Sequence, residues 1–485
     1  MSVNACSKAV SGLLLKKRPA LVFGTRLNAI ILQVYKKLQE LVPTVAFYTL
    51  GCRLNFSETS GLARQFSEAG YEVVDFSEKA DLYVVNTCTV TSAAEKKGRQ
   101  VIHQAHRANP EAKVAVVGCF SELRPEEVAK IEGVDYVLGS ADKHLLLDYV
   151  RKDASFAADS EAVTVGLPEV RSDVPVFVSS YSTIGRTRSF FKVQDGCDNF
   201  CTYCAIPYAR GRSRSATIAE TMEVAREIAA QDVYEIVLTG VNIGDFGRKQ
   251  GETFLGLLQA LATLDGVGRI RIGSVEPDLL SDEIIDFMAS SLKLMPHFHI
   301  PLQSGNDEVL KRMHRHYDTA LYADRVRKIR EKIPYAFIAC DIIAGFPTET
   351  AEQFEDSYRF VEGLDLSALH VFSYSDRPEA AASRIKPVYG AGEKAARSAR
   401  LHALSDKKKE RFYARFEGQA ATVLWEADCQ DGYMFGYTPN YLKVKTPYQE
   451  ELVNTIDRVR LSSLQKDANK DWCFLAASSR AGRQY

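Results

Sequence analysis

The sequence has no long apolar run and no excess of charge of either sign. No stretch of its 485 residues approaches the 18 consecutive apolar residues of a membrane-spanning helix, so we predict no membrane span and a cytoplasmic protein. Lys and Arg number 61 against 62 Asp and Glu, a formal net charge of −1. This balance excludes a uniformly basic nucleic-acid-binding surface, although it permits a local basic patch.

Cysteine is also scarce, since ten cysteines in 485 residues are too few for a disulfide scaffold. Their positions are more informative than their number. One group of three lies within a single short segment, Cys197, Cys201 and Cys204. A second group of three is spread along the first third of the chain, Cys52, Cys88 and Cys119. The other four share no pattern and are interpreted as ordinary thiols.

At roughly 100 to 200 residues per domain, a chain of this length predicts about three domains. Hydrophobic residues make up 46% of the chain, which is typical of globular proteins. The predicted fold class is α/β, with an open parallel α/β domain, a partial parallel barrel and a small β-barrel. We divide the chain into an extension of unknown role, the α/β domain, a linker, the barrel domain with a basic C-terminal helix, and the small β-barrel: 1–43, 44–150, 151–185, 186–417 and 418–480.

The N-terminal domain alternates short β-branched runs with amphipathic stretches, a pattern typical of a parallel sheet with crossover helices. Cys52, Cys88 and Cys119 each come directly after one of the predicted strands. Because the carboxyl ends of parallel strands share one edge of the sheet, cysteines far apart in sequence can meet there. A single such cysteine is explained by burial, but three at equivalent positions indicate a site.

The middle of the chain contains six further strand–helix units, which predict a parallel barrel two units short of eight. Ligands of such barrels bind at the carboxyl ends of the strands. Five conspicuous residues fall there and are predicted to contact a cofactor: Gly240, Asn242, Glu276, Gln303 and Asp341. The alternative is that these residues cap helices and fill layers of the barrel.

Cys197, Cys201 and Cys204 offer three thiolates from one loop after the first barrel strand. A structural zinc site normally takes four ligands, and no fourth Cys or His lies nearby in sequence. Three thiolates suit a cubane iron–sulfur cluster in which one iron is left without a protein ligand. That open iron can bind a substrate or cofactor. Zinc and a disulfide are the alternatives.

The flanking residues of this loop, QDGCDNFCTYC over 194–204, resemble the radical S-adenosylmethionine signature, whose penultimate position is aromatic and is here Tyr203. The resemblance implies a 4Fe-4S cluster whose open iron chelates S-adenosylmethionine, with Tyr203 beside the cofactor. It also implies that the reduced cluster cleaves S-adenosylmethionine to a 5′-deoxyadenosyl radical.

From residue 44 onward the chain resembles the methylthiotransferase family, with three separated cysteines, a radical barrel and a C-terminal TRAM domain. The resemblance implies a second 4Fe-4S cluster on Cys52, Cys88 and Cys119 that supplies sulfur. The segments most like the MtaB-like, threonylcarbamoyladenosine branch are TLGCRLN, LTGVNIGDFG and GYTPNY. One departure is Thr348, where family members usually have glycine.

The implied activity is methylthiolation of carbon 2 of N6-threonylcarbamoyladenosine at position 37 of tRNA. The implied partners are tRNA, a reductant such as flavodoxin or ferredoxin, and a sulfur donor. Alternative substrates within the family are prenylated adenosine in tRNA and an aspartate of a ribosomal protein. A rival of another class is a non-catalytic iron–sulfur electron carrier, which would not use S-adenosylmethionine.

A tRNA substrate requires local phosphate contacts and base stacking, because the net charge of the chain is close to zero. Basic residues follow the cysteine loop, and a mixture of aromatic and polar residues lies in the small β-barrel. The predicted nucleic-acid-binding residues are Arg210, Arg212, Arg214, Tyr437, Asn440, Tyr441 and Lys443. The alternative is a solvated basic surface and ordinary half-buried strand aromatics.

Overall fold

The computed structural model describes residues 42–155, 164–166, 176–182 and 187–477. The described residues fall into two compact units. The first runs up to residue 182 and also includes Tyr208–Arg210, and the second contains the remainder from residue 187 onward. Nearly all of the predicted extension 1–43 and much of the predicted linker 151–185 lie outside the described residues. No helix within the described ranges is long and apolar enough to cross a membrane.

The first unit contains a six-stranded parallel sheet in the order β2-β1-β3-β4-β5-β6. Its strands are β1 Thr44–Thr49, β2 Glu72–Val74, β3 Leu82–Thr87, β4 Lys113–Gly118, β5 Tyr136–Leu138 and β6 Thr164–Gly166. Its helices are α1 Arg53–Glu68, α2 Ser92–Ala108, α3 Cys119–Leu123, α4 Pro125–Ala129 and α5 Leu146–Ser155. A further short strand, β7, spans Ser180–Tyr181. The predicted α/β class is confirmed.

The sheet of the first unit is buried on both faces. Alternate residues of the central strands belong to two different hydrophobic clusters, with Val84 and Ala115 on one face and Val85 and Val116 on the other. Burial on both faces explains why these strands are continuous apolar runs rather than alternating ones.

The second unit carries six parallel strands: β8 Arg188–Lys192, β11 Glu235–Thr239, β12 Arg269–Arg271, β13 His297–Gln303, β14 Phe337–Ala344 and β15 Ala368–Ser373. They form one group ordered β12-β11-β8 and another ordered β13-β14-β15. An isolated parallel bridge between Ser274 and His299 connects the groups. Two short antiparallel strands, β9 Gln194–Asp195 and β10 Arg214–Ser215, flank the cysteine loop. These six strands correspond to the six predicted strand–helix units.

Helices separate the strands of the second unit. They are α6 Ile206–Arg210, whose last residues belong to the first unit, α7 Ile218–Ala229, α8 Phe254–Ala262, α9 Asp282–Ser290, α10 Asp307–Arg312, α11 Thr319–Lys332, α12 Ala351–Gly363 and α13 Ala391–Ala414. Their starts follow local rules, since Thr217 and Thr350 form capping boxes with Glu220 and Gln353.

The C-terminal strands β16 Ala420–Gln430, β17 Tyr433–Tyr437, β18 Lys443–Pro447, β19 Ile456–Lys466 and β20 Trp472–Ala477 form a closed barrel. Its interior continues into the preceding strands, because Trp425 and Phe474 share one hydrophobic cluster with Phe337 and Ala368 of β14 and β15. The barrel is therefore part of the second unit's core rather than an appended module.

Buried arginines add a polar anchor to this contact. Arg271 is fully buried, pairs with Glu235 at 2.9 Å and donates to the carbonyl of Pro439 at 3.0 Å. Arg269 donates to the carbonyl of Tyr437 at 3.0 Å. These bonds fix the turn 437–441 against β12, whose Arg271 also pairs with the first residue of β11.

Candidate active site

The cysteine loop of the second unit is tied to the strand edge by one glutamine. Gln194 donates through Nε2 to the carbonyl of Gly196 at 2.8 Å. Its Oε1 accepts from the backbone N–H groups of Val241 and Asn242 at 3.0 and 2.7 Å. The loop that begins at Cys197 is thereby joined to the turn after β11, which includes Gly240. A Cβ at Gly240 would lie 2.9 Å from the carbonyl oxygen of Gln194, so this close contact requires glycine.

Arg315 connects the cysteine loop to one of the predicted cofactor residues. Its Nη1 lies 3.1 Å from Sγ of Cys201 and 3.4 Å from the hydroxyl of Tyr203, and its Nη2 forms an ion pair with Glu276. Tyr203 also packs against a hydrophobic cluster that includes Ile343 of β14. Burial raises the pKa of Glu276 to about 7 despite the attraction of Arg315.

The three thiols of this loop fit a metal cluster. Burial, helped by the charges of neighbouring cysteines, raises the pKa of Cys197 and of Cys204 to about 12. The thiols are thus close enough to repel one another when ionised, and each must lose its proton to bind a metal. The backbone N–H of Asn199 donates to Sγ of Cys197 at 3.5 Å, the kind of bond that supports cluster ligands.

The second group of cysteines meets at one edge of the first unit's sheet. Cys52, Cys88 and Cys119 follow β1, β3 and β4, which are neighbours in the sheet. Burial raises the pKa of Cys88 to about 12, and Cys119 and Cys52 both contribute charge repulsion. A Cβ at Gly51 would lie 2.8 Å from Cβ of Cys88, so Gly51 brings Cys52 close to Cys88.

Polar groups surround this second site. The hydroxyl of Ser140 lies 3.5 Å from Sγ of Cys119. Glu58 is buried and pairs with both Lys143 and Arg210. Arg210 also donates to Oδ1 of Asn55, whose Nδ2 donates to the carbonyl of Leu50. The segment between β1 and α1 is therefore held by side-chain hydrogen bonds at the point where Cys52 lies.

The remaining predicted cofactor residues differ in position: Asp341 lies inside β14, three residues before its end, whereas Gln303 ends β13 and Asn242 follows β11 by three residues. Asp341 of β14 accepts from Nε2 of His299 at 2.6 Å and from Nδ1 of His370 at 3.2 Å. Burial opposes its ionisation, but the two imidazoles lower the pKa of Asp341 below its ordinary value. Gln303 ends β13 with φ +71°. Asn242 is buried, and its Oδ1 has no hydrogen-bond partner among the described residues.

Of the predicted basic nucleic-acid contacts near the loop, two are buried in ion pairs. Arg210 pairs with Glu58 at 3.1 Å, and Arg214 pairs with Asp195 at 3.0 Å. Arg212 is different, because 57% of its side chain is exposed and its distance to Asp198 is 3.6 Å.

The predicted contacts in the small barrel also have partners within the chain. Tyr437 and Tyr441 stack on each other, with ring centroids 4.8 Å apart. Asn440 donates to the carbonyl of Tyr335 at 3.2 Å, and Lys443 pairs with Asp467. Nucleic-acid binding by these residues stays a prediction, and Arg212 is the one among them best placed to meet a phosphate.

Sequence reasoning missed three residues of the second unit. Arg315 is not among the predicted site residues, because its contact with Cys201 depends on a loop more than one hundred residues away. His299 and His370 gave one usable signal, since each lies in the interior of a predicted strand where an imidazole is unusual. Their meeting with Asp341 depends on strand order and register.

Two protein-family models match the chain. Residues 44–139 match an uncharacterised protein family, UPF0004, and residues 191–361 match the radical SAM superfamily. The first match covers five of the six strands of the sheet that carries Cys52, Cys88 and Cys119, and the second covers the loop of Cys197 to Cys204. Membership of the radical SAM superfamily implies S-adenosylmethionine and a 4Fe-4S cluster as cofactors.

A solved structure supports the fold. The radical S-adenosylmethionine methyltransferase TsrM from Kitasatospora setae superposes with a TM-score of 0.53 over 70% of this chain and 75% of that chain, at 16% identity. At that identity the likeness concerns the fold alone.

Curated relatives extend over most of the chain. The threonylcarbamoyladenosine tRNA methylthiotransferase MtaB of Bacillus subtilis is 39% identical over 86% of this chain and 93% of its own length. The MtaB of Aquifex aeolicus is 38% identical over 78% and 92%. The tRNA-2-methylthio-N(6)-dimethylallyladenosine synthase of Geobacter sulfurreducens is 33% identical over 85% and 94%. The predicted family and enzyme class are confirmed: this chain belongs to the radical S-adenosylmethionine methylthiotransferase family and is an MtaB-like member of it.

Proposed function

We propose that this protein adds a methylthio group to carbon 2 of N6-threonylcarbamoyladenosine at position 37 of tRNA. The observation that carries the proposal is the presence of two separate three-cysteine sites, one in the radical SAM match and one in the N-terminal sheet. The MtaB relatives, which cover most of the chain, favour this nucleoside over others.

Cys197, Cys201 and Cys204 would hold the radical cluster, which when bound supplies the electron that cleaves S-adenosylmethionine. Arg315 donates to Cys201 and so orients this ligand and offsets its negative charge. Glu276 fixes the guanidinium, and Gln194 fixes the start of the loop. Tyr203, Gly240, Asn242 and Gln303 are the remaining residues proposed for the cofactor side of the site.

Cys52, Cys88 and Cys119 would hold a second 4Fe-4S cluster as the source of sulfur. Two molecules of S-adenosylmethionine are then used per product, one as methyl donor and one as radical source. A reductant such as flavodoxin or ferredoxin and a sulfur donor that restores the second site belong to the same proposal. So does a cytoplasmic location, where tRNA is found.

Substrate RNA would be contacted through Arg212, whose side chain is largely exposed beside the cysteine loop. Its guanidinium also lies 4.7 Å from the ring centroid of Phe200. If Arg212 contacts a phosphate, RNA binding should weaken as the salt concentration rises. The slope of the logarithm of the binding constant against the logarithm of salt concentration reports the number of such contacts. The other six predicted nucleic-acid residues would bind RNA only after leaving their present partners.

The test is an anaerobic reaction of the reconstituted protein with two anticodon stem–loops, one carrying threonylcarbamoyladenosine and one carrying prenylated adenosine. We expect the methylthio product on the first and at least about tenfold less on the second, measured by nucleoside mass spectrometry. Product on the prenylated substrate alone would assign the other tRNA branch. If the protein forms 5′-deoxyadenosine but modifies neither RNA, a protein substrate would be favoured. If it forms no 5′-deoxyadenosine, a non-catalytic electron carrier would be favoured.

A further inference from the structure

A cluster of two histidines and an aspartate lies on one face of β13, β14 and β15. The opposite face of these strands is covered by helices, since Tyr322 of α11 and Lys408 of α13 lie beside Cys340 of β14. Cys340 pairs with Ile300 and Leu369 on the neighbouring strands, so these three side chains share that face. Side chains alternate between the faces of a strand. His299, Asp341 and His370 therefore lie on the face turned away from these helices, which we call the inner face.

The three side chains form a hydrogen-bonded triad centred on one oxygen. Oδ1 of Asp341 is 2.6 Å from Nε2 of His299 and 3.2 Å from Nδ1 of His370. Among the described residues, none donates to Oδ2 of Asp341. The triad is accessible, because 47% of the His370 side chain is exposed. The Asp341 side chain itself is only 16% exposed, so it presents one unoccupied acceptor that is largely shielded from solvent.

The triad lies close to the cysteine loop. Ile343 is two residues after Asp341 on the same face of β14, a step of roughly 6.6 Å, and it shares a hydrophobic cluster with Tyr203. Glu276, which pairs with Arg315 beside Cys201, is near enough to Asp341 for the two charges to interact. A ligand bound to the triad would therefore lie within reach of chemistry at the loop.

An exposed aromatic ring completes the surface. Phe372 follows His370 by two residues on β15, so it lies on the inner face, and 44% of it is exposed. A flat apolar ring beside a polar triad can stack a base while the triad orients that base by hydrogen bonds.

The geometry fits an organic donor better than a metal ion. His299, Asp341 and His370 are a possible set of metal ligands, since their ligand atoms lie within 4.8 Å of one another. However, Nε2 of His299 and Nδ1 of His370 both face Oδ1 of Asp341 at hydrogen-bond distance, and an N–H on each nitrogen would leave neither lone pair free for an ion. The acceptor that remains calls for an N–H or O–H group.

We infer that the inner face of β13–β15 binds the modified base of the substrate, with Phe372 against the purine ring and Oδ2 of Asp341 accepting from an N–H of the threonylcarbamoyl group. This assignment rests on the proposed function. It assigns Asp341 to substrate binding instead of the predicted cofactor binding. His299 and His370 are then positioning residues that hold the carboxylate. The carbamoyl link carries two N–H groups, whereas prenylated adenosine carries one, so the triad contributes to the choice of base.

The experiment measures dissociation constants of reconstituted protein for a stem–loop with threonylcarbamoyladenosine, for the same stem–loop with plain adenosine, and for S-adenosylmethionine. Asp341→Asn and Phe372→Ala are compared with the wild type. The matched controls are Asp356→Asn and Tyr335→Ala, an exposed aspartate and an exposed tyrosine of the same unit. We expect both inner-face variants to lose at least about tenfold of the preference for the modified stem–loop, while S-adenosylmethionine binding changes less than about twofold.

Three results would overturn the inference while leaving the proposed function in place. They are an unchanged preference in both inner-face variants, a loss of S-adenosylmethionine affinity instead, and one equivalent of zinc in the wild type that His299→Ala removes. Equal binding of both stem–loops by the wild type would also overturn the inference. A wild type that forms no methylthio product on the modified stem–loop would contradict the proposed function itself.

Discussion

The two cysteine sites are built by different means. Cys197, Cys201 and Cys204 come from one loop of eight residues, so their spacing along the chain sets their geometry. Cys52, Cys88 and Cys119 come from the ends of three neighbouring strands, so the register of the sheet sets theirs. A loop site depends on local conformation, whereas a strand-end site depends on the folding of a whole domain.

The sites also differ in the groups that support their thiols. Sγ of Cys201 accepts a hydrogen bond from a charged donor, Nη1 of Arg315, at 3.1 Å. Sγ of Cys119 accepts one from a neutral donor, the hydroxyl of Ser140, at 3.5 Å. Charged hydrogen bonds are about twice as strong as neutral ones. The loop site should therefore be more sensitive to loss of its side-chain donor, and the strand-end site more sensitive to changes in the backbone.

The strongest test of the comparison removes one ligand from each site. We expect Cys201→Ala to abolish 5′-deoxyadenosine formation, because two thiolates and no spare ligand remain in the loop. We expect Cys88→Ala to retain 5′-deoxyadenosine formation, uncoupled from product, and to lose all methylthiolation. Each variant should keep about half of the wild-type iron. Cys429→Ala, an exposed cysteine outside both sites, is the control.

This division of labour would be contradicted by a Cys88→Ala protein that methylthiolates RNA in normal yield. It would equally be contradicted by a Cys201→Ala protein that cleaves S-adenosylmethionine at the wild-type rate.

The charged donor of the loop site is tested by Arg315→Gln. Loss of a group that supports a metal ligand typically costs about 10 to 100-fold, and we expect that decrease in the rate of 5′-deoxyadenosine formation. The midpoint potential of the radical cluster should also fall, because a positive charge beside it is removed. Arg359→Gln, at a largely exposed arginine of α12, is the control, and it should change the rate by less than about twofold and leave the midpoint potential unchanged. Equal effects of the two substitutions would exclude a specific role for Arg315.

The backbone of the strand-end site is tested at Gly118, which precedes Cys119 and has φ +101°. A Cβ there would lie 2.5 Å from Oδ1 of Asn86 and 2.7 Å from the carbonyl of Thr87. Gly70→Ala is the control, because Gly70 has φ +92° but no atom within 4 Å of an added Cβ. We expect Gly118→Ala to lower the free energy of unfolding by about 2 kcal/mol more than the control, measured by denaturant titration. Equal losses of unfolding free energy in the two variants would mean that the atoms around Gly118 shift to accept a Cβ without cost.

The smallest effect is expected from Ser140→Ala. The hydroxyl is a neutral donor at 3.5 Å, so its loss should reduce methylthiolation by less than about threefold and leave iron binding unchanged. A loss as large as that of Arg315→Gln, measured as product formed per iron, would show that the two sites depend on side-chain donors to the same degree.

The same contrast explains what the sequence predicts well. The loop site can be predicted from sequence because its three cysteines are close together along the chain. The strand-end site can be predicted because each cysteine directly follows a recognisable strand, and the carboxyl ends of parallel strands share one edge of the sheet. The class of the fold follows from β–α alternation, since β-branched runs such as Leu82–Thr87 are buried on both faces.

What the sequence does not predict depends on contacts between distant segments. The sequence predicts Arg210 and Arg214 as phosphate contacts, but in the structure they are buried in ion pairs with Glu58 and Asp195. The sequence predicts Tyr437 and Tyr441 as a surface for base stacking. In the structure they lie in a turn whose backbone carbonyls accept hydrogen bonds from Arg269 and Arg271. Such pairings arise from tertiary packing, and residue type alone carries no signal for them.

The most direct test of the account is mass spectrometry of tRNA nucleosides from cells that lack this gene, complemented with the wild type or with Cys88→Ala. The account predicts that 2-methylthio-N6-threonylcarbamoyladenosine is absent without the gene and restored by the wild type. It predicts that Cys88→Ala restores nothing and leaves N6-threonylcarbamoyladenosine to accumulate. Restoration of the methylthio mark by Cys88→Ala, or its persistence without the gene, would contradict the account.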